Sequence, residues 1–269
     1  MKKEDALALS ETAINELAEA LAAGKSDQLR EYLNMMGSFH QYSFGNCLLI
    51  ARQFPSATIV SGFKAWKKRG RTVKKGEKGI CILAPLVRKK EEQQEDVEVF
   101  GFRAVHVFDV SQTEGEELPE VARVTGEPGV WLARLHSVVE KHGIELSYEE
   151  HLGGAEGVSK GGSICLRQGL SHAEEFAVLV HEVAHERLHH GKDRKLFTKV
   201  VRELEAEAVA YVVAKAAGLE NALEQSADYI QLYSGDKEVL LKSLERIQQT
   251  ASSLLTELEE VSECCGSPS

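Results

Sequence analysis

The sequence predicts an α+β fold arranged as two domains, and three observations lead to this class. First, the chain has 269 residues, of which 43% are hydrophobic, and this is enough to build two separate cores. Second, segments with apolar residues at helical spacing alternate with β-rich runs that glycine and proline interrupt. Third, residues 111–129 are acidic, contain two prolines and three glycines, and show neither periodicity. We therefore expect a first domain at 1–110, a linker at 111–129 and a second domain at 130–260.

The first domain is expected to begin with helices and to end with a β-hairpin. Residues 1–54 have amphipathic helical patterns, with Ser43 as the N-cap of FGNCLLIARQF and Pro55 after its end. Two β-rich runs follow, ATIVSGFKAWKKRGRTVKKGEKGICILAPLV and EVFGFRAVHVFDV. The polar stretch RKKEEQQED lies between them, as expected for the connection of a hairpin.

The second domain is expected to place short strands before a long helix. A helix to about Lys141 precedes the strand GIEL and the glycine-punctuated segment GGAEGVSKGGSICLRQG, which should form strands. A long helix follows from Ser171, where Ser171 and Glu174 form a capping-box pattern. Two further helical runs come next, and residues 261–269 are expected to be a disordered tail.

Composition narrows the class of protein. The net charge of −10 argues against binding of nucleic acid by the whole surface. Five cysteines, with no CxxC pair, indicate neither a disulfide framework nor a cysteine zinc cage, which favours a reduced, cytoplasmic compartment. No stretch is apolar over the length of a membrane span, so we expect no membrane partner.

The segment VLVHEVAHERLHH carries the pattern HExxH on the helix that starts at Ser171. Because residues four apart share a helix face about 6 Å apart, His181 and His185 can present their imidazoles to one metal ion. Glu182 lies roughly 100° around the helix, where it can reach a water molecule at that ion. The residue order alone therefore predicts two ligands and a neighbouring carboxylate.

A third ligand has to come from another element. His189 is one turn further along the helix, but His181 and His189 are about 12 Å apart and cannot surround one ion. His189 and His190 are instead expected to cap the helix end. Glu203 and Glu207 share one face of the next, largely apolar helix, so Glu203 can be the third ligand and Glu207 can accept an N–H from a liganding histidine. The alternative is two carboxylates on an exposed strip.

The segments HEVAH and RELEAEAVAY resemble the zincin-type metallopeptidases of the ImmA/IrrE group and the peptidase half of ArdC-type antirestriction proteins. The resemblance implies His181, His185 and Glu203 as zinc ligands and Glu182 as the general base. The chain departs from the ImmA/IrrE pattern at Glu207, where that group often has Asn or Asp, so Glu207 as a ligand stays open. We also expect GSICLRQG to be an edge strand that pairs with an extended substrate.

Tyr211, two turns after Glu203, has two interpretations. Its hydroxyl group can reach the oxyanion of a substrate, or the side chain can belong to the core.

Residues 61–90 contain eleven basic residues and one acidic residue, Glu77. A basic segment that also holds Phe63 and Trp66 is typical of a surface that binds phosphates and stacks unpaired bases. The alternative is a solvated lysine-rich hairpin whose Trp66 lies in the core. The candidate DNA-binding residues are Lys64, Trp66, Lys67, Lys68, Arg69, Arg71, Lys74 and Lys75.

The segment from SFGNCLLIARQF to GICILAP resembles the N-terminal domain of ArdC-type proteins, a family associated with single-stranded DNA. The residues that carry this resemblance are Asn46, Gln53, Pro55, Ala57, Thr58, Trp66, Gly70, Arg71, Val73, Lys75, Gly76, Glu77, Gly79, Ile80 and Pro85. The two resemblances together imply an N-terminal helical and β-hairpin domain that binds single-stranded DNA, followed by a zincin-like metallopeptidase domain.

The expected function is that of a zinc metalloendopeptidase that binds single-stranded DNA and cleaves DNA-associated or regulatory proteins, with antirestriction or mobile-element biology as its setting. One alternative is a non-catalytic protective protein that coats single strands and holds a structural zinc ion. Another is a peptidase that acts on a free regulatory protein.

Overall fold

The computed structural model describes residues 2–23, 27–89, 97–117, 128–190, 197–219 and 237–264, and it confirms the mixed α+β class. In chain order the elements are α1 (Lys3–Ala22), α2 (Asp27–Ser38), α3 (Phe44–Gln53), β1 (Val60–Gly62), α4 (Phe63–Lys68), β2 (Arg71–Val73), β3 (Ile80–Lys89), β4 (Val97–Asp109), a 3₁₀ turn (Val110–Gln112), β5 (Thr113–Gly115), α5 (Pro128–Lys141), β6 (Glu145–Glu149), β7 (Gly157–Ser159), β8 (Ser163–Arg167), α6 (His172–Leu188), α7 (Lys199–Ala216) and α8 (Lys237–Cys264).

The chain divides into two compact units. Unit 1 comprises Met1–Leu17 and Tyr42–Val121, and unit 2 comprises Ala18–Gln41 and Ala122–Ser269. The helix α2, which the sequence placed in the first domain, thus lies in unit 2. It packs there against α7, and a methyl group on Gly37 would lie 3.1 Å from the Val212 carbonyl oxygen, so the two helices approach closely.

Unit 1 is built on an antiparallel sheet in the order β1-β4-β3, beside the separate pair of β2 and β5. The hairpin of β3 and β4 agrees with the sequence expectation, although residues 90–96 of the expected connection lie outside the described part. The segment Thr113–Gly115, expected to be linker, pairs as β5 with β2. Residues 118–127 of the expected linker lie outside the described residues.

The free side of β3 is covered by two amide side chains of α3. Asn46 donates to the Leu83 carbonyl oxygen and accepts from the Leu83 N–H, both at 2.9 Å. Gln53 does the same with Cys81, at 2.8 and 3.0 Å. Because an unpaired strand edge invites pairing with other chains, these bonds give β3 the partners that a further strand would supply.

Unit 2 holds a small sheet in the order β6-β8-β7, in which β8 is parallel to β6 and antiparallel to β7. The prediction of an edge strand at GSICLRQG is wrong, because β8 lies in the centre of this sheet with three buried side chains, Ile164, Cys165 and Leu166. The edge strand next to α6 is β7.

The C-terminal helix α8 extends to Cys264, so residues 261–264 of the expected disordered tail are helical, and residues 265–269 lie outside the described part of the chain. Across the described ranges, no helix combines the length and the apolar character that crossing a membrane requires.

Candidate metal centre

The two helices that carry the candidate ligands begin at well-formed N-caps. At the start of α6 the Ser171 hydroxyl accepts from the Glu174 N–H at 3.3 Å, and the Glu174 carboxylate accepts from the Ser171 N–H at 2.8 Å. This is the capping box that the sequence predicted. At the start of α7 the Thr198 hydroxyl accepts from the Val201 N–H at 3.3 Å. The helices pack against each other, which brings HExxH beside the glutamates of α7.

His181, His185 and Glu203 converge as a group that could hold one metal ion. The two Nε2 atoms are 3.1 Å apart, and Glu203 Oε2 lies 3.7 Å from His181 Nε2 and 3.5 Å from His185 Nε2. In a tetrahedral zinc site with bonds of about 2.05 Å, neighbouring ligand atoms lie about 3.3 Å apart. The triangle has nearly this size, so these residues fit one small divalent ion and leave a fourth position open.

Glu207 lies on the far side of His181 from this triangle. Its Oε2 is 3.3 Å from His181 Nδ1, where it can accept the N–H of a histidine that ligates through Nε2. Burial alone would lower the pKa of His181, but the carboxylates of Glu203 and Glu207 outweigh it and raise this pKa to about 9. This position agrees with the expectation that Glu207 accepts an N–H from His181.

Glu182 projects into the same cleft and is 7% exposed. Burial raises its pKa against the lowering effect of the nearby His181 and His185, and the Ser159 backbone N–H donates to it. Gly157 lies directly against it, since a Cβ atom there would be 2.7 Å from Val178 Cγ1 and 2.8 Å from Glu182 Cγ. Any other residue at position 157 would therefore displace β7 or the side chains of Val178 and Glu182.

A cleft of about 300 Å³ lies in front of the ligand triangle. The residues that line it are Glu156, Gly157, Ala177, Val178, His181, Glu182, Glu203, Glu207 and Ala210. One wall is the edge strand β7, whose following turn is held by Glu186 of α6. The Glu186 carboxylate accepts from the Ser159 hydroxyl at 2.5 Å and from the N–H groups of Gly161 and Gly162 at 2.8 and 2.7 Å. These bonds hold the turn after β7 against α6.

His189 lies at the C-cap position of α6, where its backbone N–H donates to the His185 carbonyl oxygen at 2.9 Å, but its side chain does not cap the helix end as expected. Its ring, however, is buried and lies between two other groups, His185 at 3.1 Å and Glu205 at 3.0 Å. The sequence analysis did not single out Glu205. The available signal was its position beside Ala206, Ala208 and Val209 on the buried side of α7.

Tyr211 is not placed as an oxyanion donor. Its hydroxyl donates to Asn34 Oδ1 of α2 at 2.7 Å, and the residue does not line the cleft. The structure favours the alternative interpretation, a side chain that packs in the protein interior, although Tyr211 is only half-buried.

In unit 1 the basic segment is largely exposed. The candidate DNA-binding cations with exposed side chains are Lys64, Lys67, Lys68, Arg69, Lys74 and Lys75. Of the two aromatic candidates, Phe63 is 53% exposed, while Trp66 is 0% exposed and donates its ring N–H to the Phe108 carbonyl oxygen at 2.8 Å. The prediction that Trp66 stacks on a base is therefore wrong, because its ring is part of the core.

The guanidinium group of Arg71 is engaged in hydrogen bonds within the protein. Its Nε donates to the Thr113 hydroxyl at 2.8 Å, and its terminal nitrogens donate to the carbonyl oxygens of Thr113 and Glu116. These bonds join β2 to β5, so Arg71 is poorly available for phosphate. Lys74 also donates to the Ser111 carbonyl oxygen, at 2.8 Å, but its side chain is exposed.

Comparison with known proteins finds similarity in sequence and in fold. Residues 8–117 match the family model of the N-terminal domain of anti-restriction factor ArdC. An uncharacterized protein of Bacillus anthracis is 28% identical over 284 residues, which cover 87% of this chain and 48% of that protein, so the chain spans about half the length of this curated relative.

Two crystal structures of the antirestriction protein ArdC from the R388 plasmid share the fold. The metal-free structure aligns with a TM-score of 0.53 over 94% of this chain and 98% of that chain, at 19% identity. The Mn(II)-bound structure aligns with a TM-score of 0.52 over 93% and 98% of the two chains, again at 19% identity. Residues 8–117 are therefore similar to the ArdC N-terminal domain, and nearly the whole chain shares the fold of the R388 ArdC protein.

Proposed function

We propose that this protein is a zinc metallopeptidase whose N-terminal unit binds single-stranded DNA. The observation that carries the peptidase proposal is the triangle of His181, His185 and Glu203, placed beside the buried carboxylate of Glu182 in a cleft with an edge strand as one wall. A structural metal site needs no open cleft and no further carboxylate, whereas a hydrolytic site needs both.

The ligand set favours zinc among the divalent ions. Two imidazole nitrogens and one carboxylate suit Zn²⁺, and such sites bind it more tightly than Mn²⁺ in the general order of divalent metals. The R388 ArdC protein has a Mn(II)-bound structure, which supports a divalent ion in a protein of this fold. We expect the purified chain to prefer zinc when both ions are offered at equal concentration.

The chemistry follows from what each side chain can do. A bound zinc ion would polarise a peptide carbonyl group and lower the pKa of a water molecule. Glu182 accepts the proton of that water and passes it to the leaving amine. Burial suits this role, because it brings the pKa of the carboxyl group upward, closer to neutral pH. An extended substrate can add to the outer edge of β7, beside the Ser159 N–H that donates to Glu182, and this would lead its backbone across the cleft.

Exposed cations around α4 support the DNA-binding proposal. Lys64, Lys67, Lys68 and Arg69 lie on or directly after α4, whose first residue is the exposed Phe63. Lysine and arginine side chains neutralise phosphates, and an exposed aromatic ring can stack on an unpaired base. When the N-terminal unit binds a DNA strand that also carries another protein, the peptidase unit meets that protein at a raised local concentration. We therefore propose DNA-associated proteins as substrates, with antirestriction as the setting.

The peptidase proposal is tested by incubating the purified protein with candidate DNA-bound proteins, with and without single-stranded DNA and a chelator. The wild type should cleave, and both the chelator and Glu182→Gln should abolish cleavage while Glu182→Gln keeps its zinc. If Glu182→Gln cleaves as fast as the wild type, Glu182 is not the base. Antirestriction activity that survives Glu182→Gln would favour the non-catalytic protective protein.

The DNA proposal is tested by a salt titration of binding to a single strand and to a duplex of equal length. Lys67→Gln with Lys68→Gln should weaken binding and reduce the log–log salt slope by about 1.4, since each phosphate contact on single strands contributes about 0.7. Phe63→Ala should weaken binding by about 1–3 kcal/mol without changing the slope. The matched control replaces two exposed lysines of unit 2, Lys141 and Lys160, by glutamine and should leave the slope unchanged. An equal slope change in the control would refute this surface.

A further inference from the structure

Behind the metal centre lies a buried chain of polar side chains that the proposed chemistry does not use. It consists of His189 of α6, Glu205 of α7, and Ser243 and Arg246 of α8, and we call it the His189 relay. His189 is 1% exposed, and both Glu205 and Ser243 are 0% exposed. Buried ionisable groups are costly unless they are fully bonded, so this arrangement needs a reason beyond packing.

The relay starts at a ligand. His189 Nδ1 lies 3.1 Å from His185 Nδ1, and His189 Nε2 lies 3.0 Å from Glu205 Oε2. The other Glu205 oxygen accepts from the Ser243 hydroxyl and from the Arg246 guanidinium group. Arg246 also lies over the ring of Phe197, 4.5 Å from its centroid, which holds the guanidinium group in place. The carboxylate is thus fixed by two donors from α8.

This bonding determines which nitrogen of each imidazole carries hydrogen. A carboxylate bonded to a guanidinium group can only accept, so His189 Nε2 must donate to Glu205. His189 Nδ1 is then the acceptor, and His185 Nδ1 must donate to it. The lone pair of His185 is consequently on Nε2, the atom that lies 3.5 Å from Glu203 in the ligand triangle. His181 has a simpler arrangement, in which Glu207 faces Nδ1 directly.

We propose that the His189 relay positions His185 for the metal, and that α8 thereby sets the metal affinity of the site. His189, Glu205, Ser243 and Arg246 are positioning residues, because none of them is a ligand. The proposal rests on the proposed metal centre, and it assigns a role to the C-terminal helix, in which the sequence shows no motif.

A second link between α6 and α8 supplies the control. Arg187 of α6 donates to both oxygens of Glu257 of α8, at 2.9 and 3.0 Å. This pair joins the same two helices but has no bond to His185 or His189. If the relay acted only by holding the helices together, Glu257→Gln would disturb the metal site as much as a change within the relay.

The experiment measures the zinc dissociation constant by chelator competition. Relative to the wild type, Glu205→Gln and His189→Leu should raise it about 10–100-fold, as losses of such supporting bonds do. Ser243→Ala should raise it by less, and Glu257→Gln should leave it within about twofold. In the metal-free protein, ¹⁵N chemical shifts should show that the proton of His185 is on Nδ1 in the wild type and in Glu257→Gln. In His189→Leu the proton should be shared between Nδ1 and Nε2. This second readout does not respond to a general loss of packing.

The outcomes separate the relay from the metal centre. Unchanged zinc affinity in Glu205→Gln and His189→Leu, with a wild type that binds zinc, would overturn the relay alone. Equal weakening in Glu257→Gln would overturn it as well. A wild type that binds no zinc would overturn both the relay and the proposed function. Folding of each metal-free variant is followed by circular dichroism. If Glu205→Gln and His189→Leu do not fold, the test rests on Ser243→Ala, and an unchanged zinc affinity in that variant overturns the relay.

Discussion

Zinc binding at the centre should release a proton from His181. In the metal-free protein the pKa of His181 is raised to about 9 from its ordinary value of 6.5, so about 99% of this imidazole is protonated at pH 7, against about a quarter at the ordinary value. Proton and metal compete for the same side chain, so the apparent zinc affinity should rise with pH until about pH 9. At pH 7 this competition lowers the affinity about 100-fold relative to the fully deprotonated site.

Isothermal titration calorimetry in buffers with different ionisation enthalpies measures this proton directly. We expect about one proton released from His181 per zinc at pH 7, and an affinity that rises about tenfold from pH 7 to pH 8. Glu207→Gln removes one of the two carboxylates that raise the pKa, so it should release a smaller fraction of a proton at pH 8. Release of less than about half a proton in the wild type at pH 7 would refute the argument.

Three further predictions concern single substitutions. Gly157→Ala would place a methyl group 2.8 Å from Glu182 Cγ, so it should lower peptidase activity about 10–100-fold at unchanged zinc content. Unchanged activity would show that β7 tolerates the displacement. Trp66→Ala should lower the free energy of unfolding by about 3–5 kcal/mol in denaturant titrations, and a stability equal to the wild type would contradict a core role. Glu203→Ala should lose most of its zinc by metal analysis, while Glu207→Ala weakens binding about 10–100-fold, and the reverse result would exchange their roles.

The parts of the site that could be predicted from sequence depend on local spacing. The capping box at Ser171 and the four-residue spacing of His181 and His185 determine their positions on one helix, whatever the rest of the fold does. Glu203 was proposed because a buried carboxylate needs a positive partner, but the structure leaves its side chain 49% exposed, so burial does not create that need at this residue. The structure brings it within 3.7 Å of both imidazoles.

The parts that could not be predicted depend on contacts between distant segments. Glu205 differs from its neighbours Glu203 and Glu207 only in which face of α7 it occupies, and that face is decided by packing against α8, some forty residues away. Trp66 lies among lysines in the sequence, yet its ring packs in the core and donates a hydrogen bond to a carbonyl group of β4. The order of β7 and β8 in the sheet is a choice of topology that short strand patterns do not encode.

The hydrogen bonds that the side chains of Asn46 and Gln53 form with β3 also fix the register of this strand. Sliding β3 by one residue would break all four bonds of Asn46 and Gln53 at once and turn its buried side chains outward. The last of these hydrogen bonds is at Leu83, whereas the irregularity in the pairing of β3 with β4 lies further along the strand, between Leu86 and Val87. The half of β3 that faces α3 is therefore held in register by α3, while the irregularity lies in the outer half, which these hydrogen bonds do not reach.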